Sequence, residues 1–263
     1  MFSAKQYLLA QSLEEAYVAN QKRTATIVGG MCWLKMGKRQ MQTLIDLSAL
    51  GLDEIAVTKE GFSIGAMVSL RQLEAHKELN QAFCNAFAKA LSPIVGVQFR
   101  NCATAGGSVW GRFGFSDVIT LLLALDAQVE LYPSGVIALE DFIKMPYDNQ
   151  ILVRILIPHN SKPVAVQSHR NTATDFPVLV VTASVEQDGT LRMTVGARPQ
   201  KAVVVPASLS LSDADLNNHL ETALDKIPFG KNMRAGKEFR RHLASVLLKR
   251  AIAQLKEEQN HAN

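Results

Sequence analysis

Two Gly-Gly pairs constrain the fold of this chain most, because each pair leaves a stretch of backbone without Cβ atoms. The β-branched residues 24–28 lead into Gly29 and Gly30, which predicts a strand that ends in a tight loop. Gly106 and Gly107 stand among small and hydroxyl residues ahead of a candidate helix. Bare backbone lets N–H groups approach an anion, so two such segments suggest an extended ligand with two charges, such as a dinucleotide. By spacing alone, two buried turns remain the simpler interpretation.

The familiar motifs of catalysis and metal binding are absent from the sequence. Neither G-x-G-x-x-G nor the P-loop pattern occurs, and Ser108 cannot be a hydrolase nucleophile because Trp110 stands where G-x-S-x-G needs glycine. The histidines show no ligand spacing. Cys32, Cys84 and Cys102 are widely separated, so we predict no metal or iron–sulfur site. Three unpaired thiols fit a reducing cytoplasm.

Composition excludes several classes of protein. The chain has 263 residues, of which 48% are hydrophobic and 20% charged, so it predicts a globular fold of one or two domains. Its net charge of +4 is a weak excess, and residues 234–250 interleave basic and apolar side chains at helical spacing. That pattern favours an amphipathic helix with a solvated basic face over a nucleic-acid surface, which stays a weaker alternative. No apolar run is long enough for a membrane span, and no signal peptide is predicted.

Local patterns predict mixed α and β structure in the first part of the chain. Residues 96–110 lack periodicity and predict an extended loop or a short strand. The other predicted elements are a helix after Ser12, strands over residues 24–28, 55–57, 62–67 and 151–157, a helix over 79–90, a buried helix from Ser116 and Asp117 through 125, and a hairpin over 127–139.

The composition shifts after residue 158. Residues 159–163 are the best candidate linker, and Asp188 with Gly189 predicts a hairpin joining two apolar strands. Two helices follow, over residues 212–225 and 233–256. Strands followed by helices indicate a second α+β domain.

Several ordered motifs identify a family resemblance. Residues 28–33 correspond to a strand followed by A-G-G-T-D-L, residues 64–66 to I-G-A, and residues 100–108 to R-N-x-A-T-I-G-G-N. Further matches are S-D at 116–117, L-L-A-L-D-A at 122–127, and segments at 175–177, 196–199 and 240–248. In these motifs the chain resembles the FAD-binding, or medium, subunit of the xanthine dehydrogenase family of molybdenum hydroxylases, over nearly its whole length.

This resemblance implies a fold and a cofactor site. The fold would be α+β: a two-lobed PCMH-type FAD-binding domain over residues 1–160, then a smaller C-terminal α+β domain of antiparallel sheet and helices over residues 163–260. Both Gly-Gly loops would wrap the FAD pyrophosphate, and residues around Asp117 and Leu152 would contact sugar, ribityl or ring atoms. The implied cofactor-binding residues are Ile27, Val28, Gly29, Gly30, Met31, Cys32, Trp33, Ala103, Thr104, Gly106, Gly107, Ser108, Asp117 and Leu152.

The resemblance also implies an electron relay rather than a substrate-transforming enzyme. A [2Fe–2S] small subunit would pass electrons to FAD here, and FAD would reduce NAD⁺ or another acceptor. A large subunit with the molybdenum cofactor would hydroxylate the organic substrate, so no catalytic acid or base is expected in this chain. Trp33 and Trp110 are candidates for a docking face, with burial inside the domain as the equal alternative.

Four positions depart from the family pattern. Met31 and Cys32 replace Thr and Asp, Ser108 replaces Asn, and Gln167 stands where Lys is frequent. Lost hydrogen bonds to the cofactor motivate an alternative function, a flavin-free structural or assembly subunit of the same kind of complex.

Overall fold

The computed structural model describes residues 2–159, 161–207, 209–210 and 214–262, with side chains through residue 258. It is an α+β protein, as the sequence predicted, and the described residues form three sheets. The predicted division between residues 160 and 163 stays a prediction.

The first sheet is parallel and has the strand order β1-β3-β2. Its elements are β1 (Ser3–Leu9), α1 (Leu13–Asn20), β2 (Ala25–Val28) and β3 (Gln40–Asp46). Helix α1 begins where the sequence predicted, because the Ser12 hydroxyl accepts a hydrogen bond from the Glu15 amide. A small core centred on Ala16, Ile45 and Leu47 joins α1 to the sheet.

The second sheet is antiparallel, with the order β4-β5-β8-β6-β7. Helices cover it and share the largest core, which includes Ile64, Phe83, Leu121 and Ile155. Its elements are β4 (Ile55–Val57), β5 (Phe62–Gly65), α2 (Leu70–Ala75), α3 (Lys77–Ala82), α4 (Ala86–Leu91), α5 (Val97–Cys102), α6 (Ala105–Trp110), α7 (Asp117–Ala124), β6 (Gln128–Tyr132), β7 (Gly135–Ala138), α8 (Leu139–Phe142) and β8 (Ile151–Ile157).

The third sheet is antiparallel in the order β12-β11-β10-β9, and β13 also pairs with β11. One face packs on the two last helices through Leu220 and Leu248, and the other meets α7, where the Thr194 hydroxyl donates to the Thr120 carbonyl at 2.8 Å. The elements are β9 (Val164–His169), β10 (Leu179–Val185), β11 (Thr190–Gly196), β12 (Val203–Val204), β13 (Leu209–Ser210), α9 (Leu216–Asp225) and α10 (Lys237–Ala262). The predicted helix start at residue 212 lies outside the described residues.

Two predictions of local structure were wrong. Residues 96–110 form helices α5 and α6 instead of an extended loop. The helix predicted over residues 79–90 is two helices, because Cys84 and Asn85 turn the chain with φ of 52° and 59°. In both places the helices have six residues, too few for side-chain periodicity to show reliably.

The predicted helix over the basic stretch is confirmed, but its solvated basic face is only partly correct. Arg240 is fully buried, and its guanidinium donates to the carbonyls of Val178, Gly230 and Ala235. Arg241 pairs with Glu221 on the neighbouring helix. Much of this charge therefore fixes helices in place. Within the described residues, no helix combines the length and apolarity that crossing a membrane requires.

Candidate functional site

A cavity of about 880 Å³ opens between the first two sheets and the start of the third. This volume lies in the upper part of the range for small-molecule and cofactor sites. All the residues that the family resemblance singled out line it: Ile27, Val28, Gly29, Gly30, Met31, Cys32, Trp33, Ala103, Thr104, Gly106, Gly107, Ser108, Asp117 and Leu152. The structure thus brings both Gly-Gly segments together on one cavity.

The loop after β2 presents unpaired backbone donors to this cavity. The amides of Gly29, Gly30, Met31 and Trp33 donate to no acceptor among the residues that the structure describes. Met31 has a φ of 55°, so the chain leaves the extended conformation here and turns along the cavity wall. Consecutive free N–H groups in such a turn form a concave site for an anion. We refer to residues 29–33 as the amide loop.

Backbone packs directly on backbone between the amide loop and the turn between α5 and α6. A Cβ atom at Gly30 would lie 1.7 Å from the Cys102 carbonyl oxygen, and one at Gly29 would lie 2.6 Å from the Thr104 hydroxyl. The contact with the Cys102 backbone requires glycine at position 30, whereas a Cβ atom at position 29 would require the Thr104 side chain to move.

The second Gly-Gly pair has a different geometry from the first. The Gly106 amide donates to the Ala66 carbonyl at 2.8 Å, and the Gly107 amide donates to the Thr104 hydroxyl at 3.2 Å. Both donors are therefore engaged within the protein. Gly106 packs tightly on Ala66, where a Cβ would approach to 2.6 Å, whereas Gly107 is exposed on the cavity wall. This pair contributes close packing and a smooth wall rather than free amides.

Asp117 is the first residue of α7, and its side chain has a partner that the sequence did not predict. Ser116 caps the helix by accepting from the Ile119 amide, and Asp117 lies 2.8 Å through each carboxylate oxygen from Nη2 of Arg170. Burial raises the pKa of Asp117 to about 6, while the Arg170 charge acts to lower it. Arg170 was not predicted, because no local pattern connects it with Asp117, which lies far from it along the chain.

Four aromatic rings line the cavity mouth. Trp33 lies nearly parallel to Phe176, with centroids 6.0 Å apart, and also contacts Phe113 and Phe115. Trp33 is 46% exposed and Phe113 is 38% exposed, so this aromatic cluster reaches the surface. Trp110 instead packs against a buried core ring of α8. Of the two candidate docking tryptophans, the structure leaves Trp33 at the surface.

The positions that depart from the family pattern differ in their surroundings. The Cys32 thiol is half-buried, and burial raises its pKa. The Ser108 hydroxyl donates to the Thr104 carbonyl at 2.8 Å. Gln167 does not line the cavity; its amide donates to Gln254 on α10. The departure at Gln167 therefore removes nothing from the cavity wall.

The charge of the cavity wall leaves anion binding to the backbone. Arg170 is the one Lys or Arg among the described lining residues, and it is committed to Asp117. Asp148 and Asp175 add negative charge. Within the described part of the chain, no cluster of His, Cys, Asp or Glu could hold a metal ion.

Comparison with known proteins gives a consistent result. The family described as "FAD binding domain in molybdopterin dehydrogenase" matches residues 2–160. The putative xanthine dehydrogenase FAD-binding subunit of Escherichia coli is 26% identical over 97% of both chains. Among solved structures, quinoline 2-oxidoreductase from Pseudomonas putida superposes with a TM-score of 0.83 at 21% identity over 98% of each chain. A Cu,Mo-CO dehydrogenase superposes with a TM-score of 0.86 at 20% identity, covering 98% of this chain and 99% of that one. These two structural matches show a shared fold.

Proposed function

The chain belongs to the family of FAD binding domains in molybdopterin dehydrogenases, and from this premise we propose that it is the FAD-binding subunit of a molybdenum hydroxylase. FAD would lie in the cavity between the amide loop, the wall formed by Gly107, and Arg170. The residues that the resemblance implied as cofactor-binding are the ones we assign to this role.

The free N–H groups of the amide loop carry the proposal. A pyrophosphate bears two negative charges and several acceptor oxygens, and the described cavity wall offers it no uncommitted Lys or Arg. Gly29, Gly30, Met31 and Trp33 offer four backbone donors within one five-residue loop, which suit such an anion. The amides of Gly106 and Gly107 are already bonded, so we assign the pyrophosphate to the first loop.

Bound FAD would supply the redox chemistry, and the protein would supply binding, orientation and shielding from water. We assign no catalytic acid or base to this chain. Apolar wall residues such as Leu152, which is 5% exposed, would exclude water from the planar part of the ligand. Electrons would arrive from a [2Fe–2S] small subunit and leave to NAD⁺ or another acceptor, while a molybdenum-cofactor large subunit would act on the substrate.

The aromatic cluster supports a docking face beside the cavity. Trp33 and Phe113 are partly exposed there, and Met36, also on the cavity wall, is 74% exposed. Exposed aromatic and Met side chains are enriched in the cores of protein interfaces. A partner seated on this face would come close to a ligand in the cavity, as an electron donor must.

The experiment that tests the proposal is flavin analysis of the purified full chain. We expect flavin absorbance in the visible range, acid release of FAD rather than FMN, and rebinding of FAD by the depleted chain. A colourless, folded chain that fails to bind added FAD would contradict the proposal. It would support the alternative motivated by Met31, Cys32 and Ser108, a flavin-free structural or assembly subunit.

A further inference from the structure

One wall of the cavity comes from the third sheet, through the connection between β9 and β10. We call residues 170–177 the flap segment. Arg170, Thr174, Asp175, Phe176 and Pro177 line the cavity, whose other lining residues belong to the chain before residue 153. The flap segment therefore closes the cavity from a separate part of the molecule.

The inner end of the flap segment is fixed by a buried ion pair. Nη2 of Arg170 lies 2.8 Å from both carboxylate oxygens of Asp117, and the side chains are 9% and 6% exposed. The same guanidinium holds the flap segment itself, because Nε donates to the Asp175 carbonyl at 3.1 Å and Nη1 donates to the Ser168 hydroxyl at 2.8 Å. Arg170 thus joins the flap segment to α7 across the cavity.

The outer side of the flap segment has a second, more exposed ion pair. Arg234 reaches the Asp175 carboxylate at 2.7 Å and 3.0 Å, and lies over the Phe176 ring. These two charged side chains are 24% and 28% exposed, so water and salt screen their attraction more than that of the buried pair. Loss of one partner therefore leaves an uncompensated buried charge at the inner pair but not at the outer one.

The tip of the flap segment contacts the opposite rim of the cavity. The centroid of the Phe176 ring lies 4.3 Å from that of Phe115. The same ring stacks on Trp33, the last residue of the amide loop. The flap segment consequently spans from α7 to the loop that we assign to the pyrophosphate. A ligand that fills the cavity cannot leave on this side while Arg170 and Phe176 keep their contacts.

We propose that Arg170 is a positioning residue that, through its ion pair with Asp117, holds the flap segment over bound FAD and sets the rate of FAD dissociation. This inference rests on the proposed function. Removal of either partner leaves the other charge buried and unpaired, which favours an open flap segment in which that charge reaches water. When both charges are removed, no unpaired buried charge favours the open flap segment, and only the ion pair itself is lost. The effects of the two substitutions on FAD release are therefore not additive.

The test compares FAD release from four forms of the full chain: wild type, Arg170→Gln, Asp117→Asn and the double variant. Each is loaded with FAD, diluted, and followed by flavin fluorescence. We expect each single variant to release FAD at least about tenfold faster than wild type, with association little changed. The double variant, which has lost the ion pair but holds no unpaired buried charge, should release it faster than wild type but no faster than the single variants. Arg241→Gln, which removes ion pairs with Glu221 and Asp225 at residues that do not line the cavity, is the matched control and should release FAD as wild type does.

Hydrogen exchange of residues 171–176, measured by mass spectrometry on the same samples, separates positioning from general destabilisation. Faster exchange confined to this peptide in the single variants supports the proposal. Wild-type release rates in Arg170→Gln, or additive effects in the double variant, would overturn it. If Arg170→Gln does not fold, the release rate of the double variant is compared with that of wild type instead. An unchanged release rate then overturns the proposal. A wild-type chain that binds no FAD contradicts the proposed function itself.

Discussion

The carbonyl oxygen of Cys102 occupies the space that a side chain would need at Gly30, 1.7 Å from the position of a Cβ atom there. This contact seats the amide loop on the turn between α5 and α6. It also fixes the direction of the free amides, since the loop cannot shift without losing its support. The candidate anion site and the packing of the first two sheets thus depend on the same glycine.

Gly30→Ala should therefore cost both stability and flavin. The new methyl group would push the Cys102 carbonyl away and separate the two segments, which we expect to lower the free energy of unfolding by about 2–4 kcal/mol. Urea denaturation measures the stability, and FAD titration of the folded fraction measures the affinity. Gly37→Ala, in the same connection between β2 and β3, is the control. The nearest atom to a Cβ atom at Gly37, the Leu34 carbonyl oxygen, lies 3.3 Å away. A Gly30→Ala chain with wild-type stability would show that the contact yields without cost.

Gly106 and Gly107 should respond in opposite ways to the same substitution. Gly107→Ala places its methyl group on the exposed cavity wall, with only the Thr104 hydroxyl nearby at 3.0 Å, and alanine favours the helix by up to about 1 kcal/mol. We expect a stable fold with weaker FAD binding, and Gly107→Val should abolish binding. Gly106→Ala meets Ala66 at 2.6 Å and should instead destabilise the fold. Thermal denaturation with FAD titration distinguishes the two, and retained FAD in folded Gly107→Val would contradict the assigned wall.

Local signals account for the elements that the sequence predicted correctly. Strand β2, the hairpins of β6 with β7 and β10 with β11, and the caps at Ser12 and Ser116 each depend on a few adjacent residues. Strand β1 was not predicted. Nearly all of its side chains are exposed, so it shows no alternation of buried and exposed residues. Helices α5 and α6 depend on contacts with distant backbone, such as that of Gly106 with Ala66.

The candidate site was predictable to the extent that its residues lie in motifs. The family resemblance located the residues that line the cavity, but it could not distinguish free amides from bonded ones. That difference depends on acceptors elsewhere in the fold, such as the Ala66 carbonyl. Arg170 reaches the cavity only through the packing of the third sheet on α7, which no local pattern records. Phe176 lies in the matched motif at 175–177, but the motif did not place it at the cavity.

Purification from the native host should recover this chain with partners. We expect a molybdenum-containing large chain and a cysteine-rich small chain, because Cys32, Cys84 and Cys102 cannot supply the four ligands of a [2Fe–2S] cluster. Trp33→Ser and Phe113→Ser, together, should weaken the complex about tenfold or more if the aromatic cluster is the docking face. Metal analysis and mass spectrometry of the purified complex provide the measurement. A native protein that runs alone and turns over a substrate unaided would contradict the relay function.

The ionised Glu221 carboxylate should stabilise the protein at neutral pH and lose this effect as the pH falls. Lys249 at 2.6 Å and Arg241 at 2.9 Å, with the Ser245 hydroxyl, lower the pKa of Glu221 to about 2. A carboxyl whose pKa is lower in the folded state contributes above pH 4.5 and loses that contribution as the pH falls towards 2. Because the side chain is 36% exposed, we expect only about 1 kcal/mol, measured as the difference in urea stability between wild type and Glu221→Gln at pH 7 and at pH 3. An equal difference at both pH values would contradict this.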